Sequence, residues 1–385
     1  MKNQLQLRRQ QLTSLVDLAM ICAMALLVGC AAPAPKVVAP ADYVFYPAAP
    51  EVPRVQHLAT YANADDLKGT KEDSSALKSF LVGEDKAEDA LARPYGVIMR
   101  DGKIIVADSR GPGIATFDLK ARTFSLMSGA GGGRMQRPIN ITIDTDGTQY
   151  VTDTGRDQIL VFDRNNTFQV AFGAKDQFKP VDVAIVGDRL YVADIQNHII
   201  QVLNKRTGQV LFKFGQVEGD IAKSLHQPTN LAVGPSGDIY VVETGNFRVA
   251  RFTTEGKFVR YYGEAGQSPG QFARPKGIAV DRAGRLYVGD AAFQNVQIFN
   301  DDGRILMSFG QAVGTAPGLN LPAGVSIDYD NVGYFKSFAD PNFTIEHVIL
   351  VASQFGPNQI DVYGFGKMKG VVYPTDPLPE VKPVK

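Results

Sequence analysis

One pattern recurs six times along this 385-residue chain and limits its fold more than any other feature. Prolines at 94, 138, 180, 228, 275 and 322 each open a short apolar run of β character, at spacings of 44, 42, 48, 47 and 47 residues. A second run follows in every unit: Ile104–Asp108, Gln149–Asp153, Leu190–Asp194, Ile239–Glu243, Leu286–Asp290 and Ile349–Ser353. A third comes next, as in Ile114–Asp118 and Val296–Asn300. In the first five units a fourth ends near Gly129, Gly173, Gly215, Gly263 and Gly310. Four short strands per unit at a period of 42–48 residues describe a β-propeller, with blades starting near 93, 137, 179, 227, 274 and 321. Length by itself suggests two or three domains, but the repeat reduces them to one ring. The 38 glycines and 22 prolines fit a chain punctuated by turns.

The unit from Arg274 to Gly310 (RPKGIAVDRAGRLYVGD…NVQIFNDDGRILMSFG) resembles an NHL repeat almost position for position, and the likeness recurs over about residues 93–366. The resemblance implies an all-β, six-bladed propeller with four antiparallel strands per blade. It also implies binding of proteins or other ligands as the usual role, although some relatives of the same shape are enzymes.

The sixth unit departs from the pattern. Its second strand is expected only at Val348–Ser353, which leaves residues 331–346 as an insertion, and no fourth strand follows Gly364-Phe365-Gly366. An open edge strand invites aggregation, so closure needs a strand from elsewhere. Arg54–Tyr61 has strand character and is the predicted closing strand; Leu77–Val82 is the alternative. Ser74-Ser75 ahead of residues 76–82 reads better as an N-cap and a short helix over 75–82.

The ends have a different character. Lys2, Arg8 and Arg9 precede an apolar stretch, Leu15–Val28, that is too short to span a bilayer comfortably and ends in Leu27-Val28-Gly29-Cys30. That ending resembles the lipobox of bacterial lipoproteins. The resemblance implies that residues 1–29 are removed and that Cys30 carries lipid. It further implies that the chain is exported to a membrane of the cell envelope, the outer membrane being the expected one because Ala31 follows the cysteine. Residues 30–53, with six prolines, form a tether that cannot build a core; at ~3.1 Å per residue it reaches roughly 70 Å. The propeller is expected over 54–372, and residues 373–385 form a second proline-rich tail.

Equal numbers of basic and acidic residues, 40 of each, argue against a nucleic-acid partner. Two cysteines exclude a disulfide framework, a four-Cys zinc site and a haem attachment motif. Asp108, Asp153, Asp194, Glu243 and Asp290 hold one repeated position at the end of the second strand. At that place a carboxylate is expected to accept backbone N–H bonds of the following turn rather than to catalyse. The loops leading into the blades and those after the second strands open on one face, where sequence varies most freely. Arg93, Arg137, Lys179, Gln227 and Arg274 stand in the lead-in loops, either as a cationic rim or paired with neighbouring loop carboxylates. Phe247, Phe293 and Phe355 come from equivalent loops of blades 4, 5 and 6 and are candidate interface anchors; His198 and His226 fall in loops of the same face.

Neither a His cluster nor a nucleophile, P-loop or dinucleotide motif is present, so no catalytic residue, metal ligand or cofactor is assigned. The expected function is a non-catalytic, membrane-anchored scaffold for another envelope protein, or for a small anionic ligand or glycan. The alternative is a metal-dependent lactonase-like hydrolase or lyase on the same fold.

Overall fold

A computed structural model describes residues 43–68, 89–312 and 318–373. The cysteine Cys30, the stretch before it and the helix expected over 75–82 lie outside these residues.

Six sheets form the ring. Each opens with an inner strand beginning at the repeated proline: Pro94–Arg100, Pro138–Ile143, Pro180–Val186, Pro228–Val233, Pro275–Val280 and Pro322–Asp328. Proline is tolerated there because a first strand residue has no ladder N–H to lose. The second strands, Lys103–Asp108, Gln149–Asp153, Arg189–Asp194, Ile239–Glu243, Leu286–Asp290 and Phe343–Ser353, pair antiparallel with the inner ones. They are buried on both faces, which explains their continuous apolar runs. Hairpins such as Asp144-Thr145-Asp146-Gly147 turn through a glycine at φ 91°, with Gly147 N–H donating to Asp144 C=O at 3.0 Å. The core lies in the seams between neighbouring sheets, each filled by side chains of two blades.

Blade 6 closes the ring as expected. Val55–Tyr61 pairs antiparallel with the third strand, Ile360–Met368, with Val55 opposite Phe365 and Tyr61 opposite Ile360. It buries Val55, Leu58 and Tyr61, worth about 1.5–3 kcal/mol each. A fifth strand, Phe45–Tyr46, adds outside it, and Tyr46 Oη donates to Gln311 C=O at 2.7 Å. The proline-rich composition of this stretch reads as tether, but these two aromatic residues find a place on the outermost edge. At the other end Tyr373 Oη donates to Pro53 C=O and accepts from Met368 N–H, both at 2.8 Å.

The insertion is shorter than the sequence suggests. The second strand of blade 6 begins at Phe343, five residues ahead of the expected start, because the third strand is also long and pairs Phe343 with Met368. A 3-10 turn over Val332–Phe338 precedes it and drops Phe335 into the seam with Leu58 and Val348. Asn331 Oδ1 accepts Gly102 N–H at 2.8 Å and ties this connection to blade 1.

Candidate binding face and channel

The repeated carboxylates are buried and act as clamps. Asp290 Oδ1 accepts the N–H groups of Ala292 (2.9 Å) and Phe293 (3.1 Å) in its own turn. Its Oδ2 accepts those of Ala273 (2.8 Å) and Arg274 (3.0 Å) from the loop leading into the blade. Asp108 and Asp153 repeat both sets. Asp194 does so with one lead-in bond, from Lys179 N–H. Glu243 reaches the lead-in N–H of His226 and bonds the side chains of Asn246 and Arg248. In blade 6 Ser353 Oγ takes the place, accepting Asn320 N–H at 3.2 Å. The acids thus join the two loop sets of each blade into one rigid face and have little capacity left for chemistry.

The fourth residue after the acid adopts the left-handed conformation in four blades: Asp157, His198, Phe247 and Gln294, with φ between 54° and 56°. Phe247 uses this position, Phe293 stands one place earlier in its turn, and Phe355 follows Ser353 by two. The three phenylalanines therefore share a loop but not a position in it. Phe247 and Phe355 are 37% and 44% exposed, whereas Phe293 is half-buried.

His198 and His226, from adjacent blades, stack edge to face with centroids 5.0 Å apart. Gln227 N–H donates to His198 Nδ1 at 3.0 Å, which leaves the ring proton on Nε2. Burial, followed by the charge of His226, lowers the pKa of His198. No group of three His, Cys, Asp or Glu that could hold a metal is found among the described residues.

The lead-in cations divide. Lys179 Nζ lies 3.7 Å from Asp157 Oδ1. The Arg93 guanidinium instead lies over the ring of Phe355 at 5.1 Å, joining a residue of each predicted set. Arg137, Arg274 and Gln227 are exposed; neither arginine has a carboxylate within ion-pair distance among the described residues.

A cavity of about 230 Å³ runs along the axis, lined by the inner strands of all six blades. The residues two places after the prolines are Gly96, Asn140, Asp182, Asn230, Gly277 and Gly324, and all of them but Gly277 line it. Blades pack so closely here that a Cβ on Gly324 would meet Tyr95 C=O. Blades 2, 3 and 4 substitute polar side chains that satisfy the bulged backbone. Asn140 Oδ1 accepts Ile141 N–H at 2.9 Å, and Asp182 accepts Val183 N–H (2.7 Å) on one oxygen and Leu231 N–H (2.8 Å) on the other. Burial nevertheless pushes the Asp182 carboxyl up to about 7. Lys276, next after the proline of blade 5, is pushed down to about 8 by burial first and Arg274 second.

Asp182, Lys276 and Tyr95 are absent from the sequence-derived site. The visible signal is the replacement of the repeat's glycine by Asn, Asp and Asn in three consecutive units.

Five four-stranded blades and a sixth extended to five strands, a clamped loop face and an axial channel define a six-bladed β-propeller. The family model described as NHL repeat matches residues 225–252, which run from the lead-in loop of blade 4 through its third strand. This match, within a ring of six like blades, supports kinship with the NHL-repeat β-propellers. It is 29% identical over 139 residues to protein brain tumor of Drosophila melanogaster, a match covering 34% of this chain and 13% of that protein. It is 27% identical over 154 residues to peptidylglycine alpha-amidating monooxygenase of Rattus norvegicus, covering 38% and 12%. The matches therefore span about an eighth of these curated relatives. A gluconolactonase from Xanthomonas campestris superimposes with a TM-score of 0.52 at 15% identity, covering 84% of this chain and 97% of that one; this likeness shows the fold alone.

Proposed function

We propose that this protein is a membrane-anchored, extracytoplasmic propeller that captures another envelope protein or a small ligand on its clamped loop face, without chemistry of its own. One observation carries the reading. The repeated carboxylates are spent on backbone N–H groups, so the side chains left to meet a partner are aromatic and cationic. Exposed Phe247 and Phe355 have the character of interface anchors. Lipid on Cys30 would hold the ring at a membrane, since two or more acyl chains give stable attachment.

Crosslinking in intact cells tests the reading. Replacing Phe247, Phe293 and Phe355 together by Ser should abolish capture while leaving the thermal unfolding of the ring intact; retained capture refutes it. Cys30→Ser should move the protein from the membrane to the soluble fraction.

Asp182 favours a second reading, a hydrolase or lyase, because a buried carboxylic acid poised near neutral pH is a candidate general acid or base. The metal-dependent form does not fit the residues present. Both Asp182 oxygens already accept backbone N–H bonds, and no group of three His, Cys, Asp or Glu that could hold a metal is found among the described residues. Asp182→Asn would abolish turnover of a substrate if this reading held, and would leave protein capture unchanged under the first.

A further inference from the structure

We propose that the seam between blades 1 and 2 binds a small free phenol, in the space that a tyrosine ring fills in four other seams of the propeller. The site lies at the hairpin end of the blades, opposite the loop face, and is independent of protein capture there.

The position three residues before each clamp residue carries the argument. It is tyrosine in blades 2 to 5: Tyr150, Tyr191, Tyr240 and Tyr287. Each packs into the seam with the following blade. Tyr150 Oη donates to Lys205 C=O at 3.0 Å and Tyr191 Oη to Thr254 C=O at 2.8 Å, both in the hairpin between the third and fourth strands of the next blade. At the same hairpin of blade 5, Asp301 C=O accepts Tyr262 Oη at 3.2 Å, and the Tyr262 ring lies 5.8 Å from that of Tyr240. Blade 6 has Leu350 instead, but its seam with blade 1 takes in Phe335 from the 3-10 turn. Blade 1 has Ile105, and there a cavity of about 390 Å³ is left.

The cavity keeps the parts that a tyrosine would use. Ile105, Ile114, Met127 and Ile143 give it apolar walls, and an apolar cavity of about 150 Å³ already admits benzene. Arg164, also in its lining, holds the hairpin position of Lys205 and Thr254. No hydroxyl reaches the Arg164 C=O among the described residues, so a buried acceptor awaits a donor.

The charges in the lining favour a neutral ring over an anion. Arg100 donates to Thr145 C=O at 3.0 Å, Arg164 Nη2 donates to Asp146 C=O at 2.6 Å, and Lys103 Nζ lies 3.6 Å from Asp118. Their N–H groups are already engaged, whereas a guanidinium tethered by its edge still offers its face to an aromatic ring. Arg251 does this in the seam of blades 4 and 5, 5.3 Å from the centre of Tyr240. In the filled seams the ring carbon para to the hydroxyl is joined to the second strand. A tyrosine of another protein would therefore need its backbone where Ile105 stands, and a free phenol has no such requirement.

Ligand-observed NMR titration of the protein with phenol tests the site, with toluene, cyclohexanol and benzoate as comparisons at matched ionic strength. Phenol should bind at least fivefold more tightly than each, because they lack in turn the hydroxyl, the aromatic face and neutrality. Ile105→Tyr supplies the ring from the chain and should abolish phenol binding. Ser125→Phe, at an exposed position in the cavity lining, should weaken it at least fivefold. Phe247→Ser, on the loop face, should leave it unchanged. No binding of phenol, equal binding of any comparison compound, undiminished binding by folded S125F, or equal loss in F247S would each overturn the proposal. Unfolding temperatures show which variants have kept the fold, and Ser125→Phe decides if Ile105→Tyr does not fold. Protein capture is read from the loop-face variants, so the two readings fail separately.

Discussion

Two buried groups titrate in opposite senses over one pH window. His347 lies in the seam between blades 5 and 6, its ring stacked on Phe365 at 4.9 Å and Nε2 3.3 Å from Tyr287 Oη. Burial lowers its pKa to about 4; Asp281 opposes the shift, while Arg285, Arg54 and Arg282 reinforce it. Between pH 6.5 and 4 the unfolded chain therefore holds a proton on this residue that the folded chain lacks, so acidification favours unfolding. At ~1.4 kcal/mol per pH unit the displacement is worth about 3 kcal/mol across the window. Asp182, raised to about 7, does the reverse: from about pH 4 upward the folded chain holds the proton and the unfolded chain does not, so acidification favours folding by a similar amount.

The two slopes should cancel in the wild type, and single variants should uncover them. Urea unfolding at pH 4.5, 5.5 and 6.5 is the assay. His347→Gln should leave the Asp182 slope, with stability falling by about 3 kcal/mol as pH rises through the window. Asp182→Asn should leave the opposite slope. Absolute stabilities of both variants will differ from wild type through packing, so the pH dependence is the readout. Asp118, Asp144 and Asp146 are all held below the ordinary carboxylate range, which keeps their losses below this window. Curves for H347Q and D182N that run parallel to wild type would refute the reasoning; an NMR titration of His347 with its midpoint near 6.5 would do so directly.

Further outcomes follow from the packing. Deleting residues 54–61 removes the fourth strand of blade 6 and should sharply lower the melting temperature; an unchanged melt would contradict ring closure by this segment. Leu58→Ala, in the seam with Phe335 and Val348, should cost about 2–5 kcal/mol by chemical denaturation. Asp290→Ala strands four backbone N–H groups in two loops and should cost about 3 kcal/mol or more, with part recovered in Asp290→Asn. Gly324→Ala should destabilise the blade 6–blade 1 contact, since its Cβ would run into the backbone at Tyr95.

Much of the ring was legible because a propeller is built from short-range instructions. The proline at the start of each inner strand, the apolar second strand and the Asp-Gly turns act within one unit of 42–48 residues, and repetition made them stand out. The clamp acids were legible for the same reason, although their reach into the lead-in loop was not, because those N–H groups lie some 15–17 residues away in the chain. The start of the second strand in blade 6 was misplaced because Phe343 is a strand residue only by virtue of its partner Met368.

The amino-acid sequence by itself determined the repeat, the number of blades, the closing segment and which residue types occupy the loop face. Only the tertiary structure decided which of them act together. Arg93 and Phe355 stand 262 positions apart in the numbering and meet because the ring brings its first blade beside its last. Asp182 became an acid poised near neutrality because the closed ring buries its carboxyl among the inner strands. Charge, burial and proximity across a closed ring depend on the whole fold, and a local pattern cannot carry them.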